Sequence, residues 1–144
     1  MNKTVFYTKQ NDDYKWFLVD ADSKTLGRVS SEISKVLIGK TDVTYNPSQK
    51  AKNVVIVINA EKVCITGKKE SNKFYYRHSG TPGGLTIETF QELRKRLPVR
   101  IIEKSVKNML PKGSLGRNLF TKLKVYMGKE HPHRAQNPIQ ITYI

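Results

Sequence analysis

Cationic side chains are concentrated in the second half of this 144-residue sequence. Between Arg94 and Arg134 there are twelve lysines and arginines against only two acidic residues, Glu103 and Glu130, so this stretch holds most of the net charge of +14. A surface of that sign attracts polyanions, and each phosphate that it neutralises releases condensed counterions. The chemistry predicted for this region is the binding of a nucleic acid, with RNA as the expected partner.

One predicted helix carries several of these cations along a single side. Arg100, Lys104, Lys107 and Lys112 recur at spacings of three to five residues, on the side that the apolar residues leave open. Charged residues on a helix are usually its solvated face. Such faces mix both signs, however, and here only Glu103 interrupts the row, so RNA contact is the favoured interpretation.

A glycine-rich segment at residues 79–84 precedes a predicted helix and has the composition of a phosphate-binding loop. Free backbone N–H groups in such a loop, together with the positive end of a helix dipole, can hold a phosphate. The segment matches no nucleotide-binding fingerprint, and the neighbouring Tyr75, Tyr76, Arg77 and His78 suit base stacking and backbone contacts better. A turn whose glycines only supply positive φ angles is equally compatible with the sequence.

Two histidines, His131 and His133, raise the question of a metal site. A catalytic zinc needs three protein ligands, and the sequence offers only His78 besides these two, with no HExxH motif. Surface histidines that hydrogen-bond to RNA are therefore favoured, and neither a metal nor another cofactor is predicted. The alternative kept open is a metal-assisted enzyme acting on RNA or nucleotides, with Asp20 and the histidine pair at the carboxyl edge of the sheet.

The remaining reactive side chains have simpler explanations. Cys64 is the one cysteine, which excludes an internal disulfide, and its apolar strand context predicts a small core residue rather than a nucleophile. Asp20, Asp22 and Asp42 fall near predicted strand or helix ends, where capping accounts for them. No acid–base pair for catalysis emerges.

Length and composition are those of one ordinary domain. A chain of 16.5 kDa can bury about two thirds of the surface that it exposes when unfolded. The prediction is a single domain over residues 1–144, with extended basic segments at both ends, an N-terminal extension at 1–14 and a C-terminal tail at 129–144. The longest aliphatic run is residues 54–58, and the first twenty residues lack the pattern of a secretory signal, so neither a membrane span nor a secretory signal is predicted.

The elements that must position these side chains begin with a strand, a helix and a strand. Residues 16–19 are a short apolar run typical of a strand buried on both faces, ending at Asp20. Apolar residues at helical spacing predict a helix from Leu26 to Ile38, capped by Thr25 or Ser23 and closed by Gly39. A β-branched run at 54–58 follows. This order predicts a parallel sheet with helices on both faces, a three-layer α/β/α fold.

The second half is predicted to be mainly helical. A short strand at 63–65 and an extended segment at 73–78 come first, followed by a helix marked by Ile87, Phe90, Leu93 and Leu97, with Thr89 and Glu92 at capping-box spacing. A second helix begins after Pro98 and a third is predicted to be capped by Ser114. The inward residues expected on the second helix are Ile102, Val106, Met109 and Leu110. A closing strand at 125–127 ends at Gly128.

Several short motifs occur in order along the chain. They are Thr-Leu-Gly-Arg at 25–28, Val-Ile-Asn-Ala-Glu-Lys-Val at 57–63, Thr-Gly-Lys-Lys at 66–69, the tyrosine-to-glycine stretch at 75–84, Val-Lys-Asn-Met-Leu-Pro-Lys-Gly-Ser-Leu-Gly-Arg at 106–117 and Lys-Leu-Lys-Val-Tyr-Met-Gly at 122–128. In this order they closely resemble the ribosomal protein L13 family of the large subunit, in its bacterial and plastid type. The resemblance runs nearly from end to end.

The resemblance implies a mostly parallel four-stranded sheet between helices and a structural role in the large ribosomal subunit. It also implies binding to large-subunit ribosomal RNA, support of early subunit assembly, and contacts with neighbouring large-subunit proteins. Catalysis, a small-molecule substrate and a membrane are not implied. The expected location is the ribosome, in a bacterial cytoplasm or a plastid stroma. A free regulatory RNA-binding protein would use the same surface and stays open as an alternative.

By matching position, the resemblance also implies specific RNA contacts. These are Arg28, Lys68, Lys69, Tyr75, Arg77, His78, Lys107, Lys112, Arg117, Lys122 and Lys124. The sequence patterns described above add Gly83, Gly84, Arg100, Lys104, His131, His133 and Arg134. One departure from the family pattern is Asn108, where the family commonly has glycine, and this residue puts a close approach of RNA at that point in doubt.

Overall fold

The computed structural model describes residues 14–43 and 45–141, so the predicted N-terminal extension lies outside the described residues except for Tyr14. The described strands are β1 (Lys15–Asp20), β2 (Asn53–Ile58), β3 (Phe74–His78), β4 (Leu85–Thr89), β5 (Leu123–Val125) and β6 (Ile139–Gln140). The described α-helices are α1 (Leu26–Ile38), α2 (Lys69–Asn72), α3 (Phe90–Arg96), α4 (Val99–Met109) and α5 (Ser114–Phe120). Short 3-10 helices occupy Ala60–Lys62 and Arg134–Gln136.

Four strands form one parallel sheet in the order β5-β2-β1-β6. β1 and β2 pair along their full length, from Lys15 opposite Asn53 to Asp20 opposite Ile58. β3 and β4 form a separate antiparallel hairpin. The predicted α/β class with a parallel four-stranded sheet is therefore confirmed.

Helix α1 connects β1 to β2 and has the predicted bounds. Its apolar residues at helical spacing, including Val29, Ile33 and Leu37, are fully buried. Gly39 ends the helix in a left-handed conformation with φ of +83°, and its N–H donates to the carbonyl oxygens of Lys35 and Val36. Glycine satisfies these terminal carbonyls without the steric cost that a Cβ would bring.

The core lies between the sheet and the helices. All six residues of β2 are buried, and side chains alternate between faces along a strand. Val55 and Val57 join one apolar cluster with the buried side chains of α1, α3, α4 and α5. On the other face, Trp16 lies opposite Val54 in the strand pairing, and its ring contacts that of His133, 5.1 Å away between centroids.

Two strands predicted from the sequence do not belong to the sheet. Residues 63–65 form no strand, because Cys64 makes only an isolated bridge to Thr25. Val63 takes the buried position, and Cys64, the next residue, is exposed, so its prediction as a core residue was wrong. Residues 73–78 are extended as predicted, but they pair with β4. The sheet is completed instead by β5 and by β6, which lies within the predicted C-terminal tail.

Several details of the helices also differ from prediction. Ile87 belongs to β4 rather than to the helix that follows. Met109 is 44% exposed, and Ile101 is buried in its place. Ser114 is the first residue of α5, whose N-cap is Gly113, and the Thr25 side chain makes no capping hydrogen bond to α1. The predicted capping box of α3, between Thr89 and Glu92, is confirmed.

Further bounds shift by a few residues. The last predicted strand, at 125–127, begins and ends earlier as β5. β1 is less buried than expected, since Lys15 is exposed and the next three side chains are half-buried. Among the described residues, no helix combines the length and apolar character needed to cross a membrane.

Two glycines of α1 offer a matched test of the helix end. A Cβ at Gly39 would lie 2.9 Å from the Cβ of Ala51 at a positive φ, whereas a Cβ at Gly27 would meet no atom within 4 Å. We expect Gly39→Ala to lower the free energy of unfolding by about 1–2 kcal/mol, and Gly27→Ala to leave it unchanged or raise it by less than about 1 kcal/mol. Urea denaturation of both variants checks this. Equal effects of the two substitutions would contradict the assigned helix end.

Candidate nucleic-acid interface

Five acidic side chains form ion pairs with cations outside the predicted RNA-binding set. The ion pairs among the described residues are Lys15 with Asp42, Lys35 with Glu32, Lys62 with Asp22, Arg94 with Glu70 and Arg96 with Glu88, at 2.6 to 3.8 Å. None of the lysines and arginines predicted to contact RNA takes part in these pairs. Their charge is therefore left for an external partner.

Three of the four cations of the predicted stripe lie on α4, and the fourth, Lys112, lies beyond the end of this helix at Met109. Arg100, Lys104 and Lys107 are exposed at positions i, i+4 and i+7, which lie on one side of a helix. The ammonium of Lys104 lies 4.9 Å from the Tyr75 ring centroid, and that of Lys107 lies 5.8 Å from the Phe120 ring centroid. The stripe thus runs from the β3–β4 hairpin on one side to α5 on the other.

Beyond α4 there are two more exposed cations: Lys112 lies in the turn before α5, and Arg117 lies within α5. Gly116 packs so closely against this turn that a Cβ would collide with the carbonyl oxygen of Pro111. Close packing fixes the start of α5 against the turn, so the two cations are held on a constrained backbone. We name Arg100, Lys104, Lys107, Lys112 and Arg117 together the α4–α5 cation group.

The predicted contacts do not all lie at one end of the sheet. In a parallel sheet, residues that precede a strand and residues that follow one lie at opposite ends. Arg117 lies in the last turn of α5, which ends shortly before β5 and so toward the amino end of the sheet, whereas Arg28 lies in the first turn of α1, shortly after β1 and so toward the carboxyl end. Arg28 is exposed, and the first turn of α1 has no acidic residue. The amino end of a helix carries a partial positive charge, which repels a nearby cation. The position of Arg28 therefore slightly lowers the stability of α1.

The glycine-rich segment is the turn of the β3–β4 hairpin, so the prediction that it directly precedes a helix was wrong. The next helix, α3, begins after Thr89, at the end of β4 away from this turn. Several of its backbone donors are already used: the N–H of Gly80 donates to His78 Nδ1, that of Ser79 to the Gly84 carbonyl, and that of Gly84 to the Thr81 carbonyl. Gly83 has a φ of +77°, as a turn requires. The geometry thus favours the turn interpretation over the phosphate cradle.

Around the hairpin, the predicted Lys68, Lys69, Arg77 and His78 are exposed. Tyr75 differs from them, because it is half-buried, with its ring 6.5 Å from that of Phe90. The ammonium groups of Lys73 and Lys104 also lie over the Tyr75 ring. Burial raises the pKa of the Tyr75 hydroxyl. Little of this ring is left for stacking on a base.

Lys122 and Lys124 occupy two different environments. The Lys122 ammonium donates a hydrogen bond to the Ala51 carbonyl and lies 5.6 Å from the Tyr14 ring centroid. Burial, together with repulsion from Lys50 and Lys52, lowers the Lys122 pKa. Lys122 therefore ties β5 to the segment before β2. Lys124 is exposed and alternates with the inward Leu123, so it lies on the sheet face opposite the helices.

In the C-terminal segment, His133 is half-buried and contacts other side chains rather than standing free. Its Nε2 lies 2.9 Å from the Tyr126 hydroxyl, and its ring contacts Trp16. His131 is half-buried, with a buried Nδ1 that has no hydrogen-bond partner, whereas Arg134 is exposed. Within residues 14–43 and 45–141, no group of three or more potential metal ligands comes together.

Asp20 is engaged in holding the loops at the carboxyl end of β1. Its Oδ1 accepts hydrogen bonds from the Asn59 amide at 2.8 Å and from the Asp22 N–H at 3.0 Å. Burial raises the Asp20 pKa, but these hydrogen bonds and the nearby Lys62 and Lys129 outweigh burial, so the pKa falls below its ordinary value. A lowered pKa suits a structural carboxylate and not a proton donor near neutral pH.

Sequence reasoning missed β4 and the apolar side chains that its hairpin exposes. Leu85, Ile87 and Tyr76 are among the largest exposed apolar residues. Alternation of apolar and polar residues over Leu85–Thr89 was the available signal for a strand. The i, i+3, i+6 spacing of Ile87, Phe90 and Leu93 competed with it and was read as a helix.

Comparison with known proteins adds independent findings. The sequence model of the family described as Ribosomal protein L13 matches residues 14–132. The chain is 56% identical over 142 residues to the "Large ribosomal subunit protein uL13c" of Guillardia theta, covering 99% of both chains. It is 54% identical to the "Large ribosomal subunit protein uL13" of Crocosphaera subtropica, covering 99% of this chain and 94% of the relative, and 56% identical to that of Prochlorococcus marinus, covering 99% of both.

The structural role of Asp20 has a pH-dependent signature. Because its pKa is lowered in the folded state, the stabilisation is present above the unfolded pKa and is lost as pH falls through the folded pKa. We expect Asp20→Asn to destabilise the protein by about 1 kcal/mol near neutral pH, with a deficit that shrinks between about pH 5 and pH 3. Urea unfolding at several pH values measures this. Glu130→Gln, at an exposed carboxylate with no ion pair in the described part of the chain, is the control; a deficit constant across pH would refute the assignment.

Proposed function

Because this chain belongs to the ribosomal protein L13 family, structural components of the large ribosomal subunit, we propose that it binds the ribosomal RNA of that subunit and supports early assembly of the particle. The family is not one of enzymes, in agreement with the prediction that the chain has no catalytic activity. The hydrogen bonds of Asp20 with Asn59 and of His133 with Tyr126 argue against the alternative of a metal-assisted enzyme that uses these two residues.

The observation that carries the proposal is the division of charge on the surface. The chain has 26 lysines and arginines but only 12 acidic residues. In the described ion pairs, the carboxylates are paired with cations that lie outside the α4–α5 cation group. That group therefore keeps its full charge. Each contact with a phosphate would release condensed counterions, which favours binding to any folded polyanion and makes the affinity depend on salt.

Rigidity of the scaffold would make this binding selective for the shape of the RNA. Double-helical RNA is recognised mostly through its backbone geometry, so cations at fixed spacing can match phosphates at fixed spacing. The α4–α5 cation group is held by α4, whose buried residues Ile101, Ile102 and Val106 belong to the apolar cluster. Arg28, at the opposite end of the sheet, would serve a second stretch of RNA. The continuous cluster also supports the proposal that the chain is one domain.

The names of the similar proteins indicate where in the cell this function takes place. They include one named uL13c and cyanobacterial proteins named uL13. This supports a location on the ribosome, in a bacterial cytoplasm or in a plastid. Within the large subunit, we propose that the partners are its ribosomal RNA and the proteins beside it.

The proposal predicts a specific change in salt dependence. Replacing Lys107, Lys112 and Arg117 together by alanine removes three unpaired cations, so binding to large-subunit ribosomal RNA should weaken. The slope of log K against log salt concentration should fall by about two to three units. Filter-binding titrations over a range of salt concentrations measure both quantities.

A charge-matched variant provides the control. Lys15, Lys35 and Lys62 are each paired with a carboxylate, so replacing these three by alanine removes the same formal charge from cations that are already compensated. The slope should change much less than in the first variant. Equal slopes for the two triple variants would show that only net charge matters and would reject the assigned interface.

A further inference from the structure

The β3–β4 hairpin exposes an apolar face. The strand pairing sets Tyr76 opposite Ile87 and His78 opposite Leu85, so these side chains share one face with Phe74. Phe74, Tyr76, Leu85 and Ile87 are 48%, 61%, 53% and 53% exposed. We name these four side chains the outer hairpin face. Exposed large apolar side chains elsewhere in the described chain are not gathered on one strand pair in this way.

The two faces of the hairpin have different chemistry. The inner face carries Tyr75, Arg77, Thr86 and Glu88, and it is attached to the protein: Tyr75 packs beside Phe90, and Glu88 pairs with Arg96. Because these contacts fix the hairpin from one side, the outer face is held outward. Covering such an exposed apolar face with another surface is favourable, because it removes apolar area from water.

The lack of positive charge on the outer hairpin face argues against RNA as the partner that binds there. The outer hairpin face has no lysine or arginine, although the whole chain carries a net charge of +14. His78, at its edge, accepts a hydrogen bond from the Gly80 N–H at Nδ1. Phe74 and Tyr76 do present rings, but Leu85 and Ile87 lie beside them on the same face, so half of the face offers no ring to stack on a base. A phosphate backbone laid on this face would lose solvation without gaining a cation.

We propose that the outer hairpin face binds an uncharged, apolar surface of a neighbouring large-subunit protein. The inference rests on the proposed function, because the neighbour is a component of the same particle. The partner's surface would present aliphatic or aromatic side chains that fill the space between Tyr76 and Ile87, with no cluster of acidic groups. Aromatic residues surrounded by aliphatic ones are typical of the energetic centre of protein interfaces. The chain would thus bind RNA through its cations and protein through the outer hairpin face.

Photo-crosslinking within assembled subunits tests this directly. A benzoylphenylalanine replaces Ile87 in one variant and Thr86 in another, since these adjacent residues face opposite sides of the hairpin. Each full-length variant is assembled into large subunits, which are isolated by sedimentation and irradiated. We expect the Ile87 probe to crosslink to one identified large-subunit protein, at an apolar peptide, and the Thr86 probe not to reach that peptide.

The outcomes separate this inference from the proposed function. If the variants fail to sediment with subunits while the unmodified chain also fails, the proposed function is refuted. If they are incorporated and the Ile87 probe crosslinks to ribosomal RNA, or to nothing, the protein-docking inference is overturned and the proposed function stands.

A second variant checks the energetics without a probe. Tyr76→Thr combined with Ile87→Thr keeps β-forming residues at exposed positions, so folding should be preserved. Affinity for the crosslinked neighbour should fall about tenfold, while the salt slope of binding to ribosomal RNA stays as in the parent chain. Unchanged affinity for that neighbour, or a lowered salt slope, would contradict the assignment of this face to a protein.

Discussion

The parallel pairing of β1 with β2 is the interaction on which the rest of the molecule depends. Parallel neighbours cannot be joined by a tight turn, so the chain must cross over, and α1 makes that crossing with its apolar side on the sheet. The pairing buries β2 completely and gives α4 a surface to pack on. β5 then extends the sheet beside β2 and fixes the end of α5, so the position of the α4–α5 cation group follows from this one pairing.

The surface charge follows a second constraint, the shortage of carboxylates. Acidic side chains are engaged near the carboxyl end of the sheet, around α3 and beside α1, where they neutralise Lys62, Arg94, Arg96 and Lys35. None of these ion pairs involves a cation of α4, although Glu103 lies on that helix. Such a distribution costs the free protein some self-repulsion, which the apolar core offsets, and it leaves a positive surface that the proposed RNA partner would neutralise. Stability and function thus use different parts of the same chain.

Local patterns in the sequence predicted those parts of the fold that local interactions determine. α1 has the predicted bounds because its spacing and Gly39 specify them, and the capping box of α3 depends on residues three positions apart. The membership of β5 and β6 in the sheet could not be read in this way, since their partners lie far away in the sequence. The same reason explains the site. Exposed cations on α4 follow from helical spacing, whereas the packing of Tyr75, Lys122 and His133 depends on distant residues.

The central claim is that unpaired cations, and not cations in general, contact ribosomal RNA. Limited acetylation of lysines, read by mass spectrometry in the free protein and in the assembled large subunit, tests it most directly. The account predicts that Lys107 and Lys112 lose reactivity on assembly, with Lys68 and Lys69 following them. The ion-paired Lys35 and Lys62 should change little. If Lys107 and Lys112 stay as reactive in the subunit as in the free protein while the paired lysines become protected, the account is contradicted.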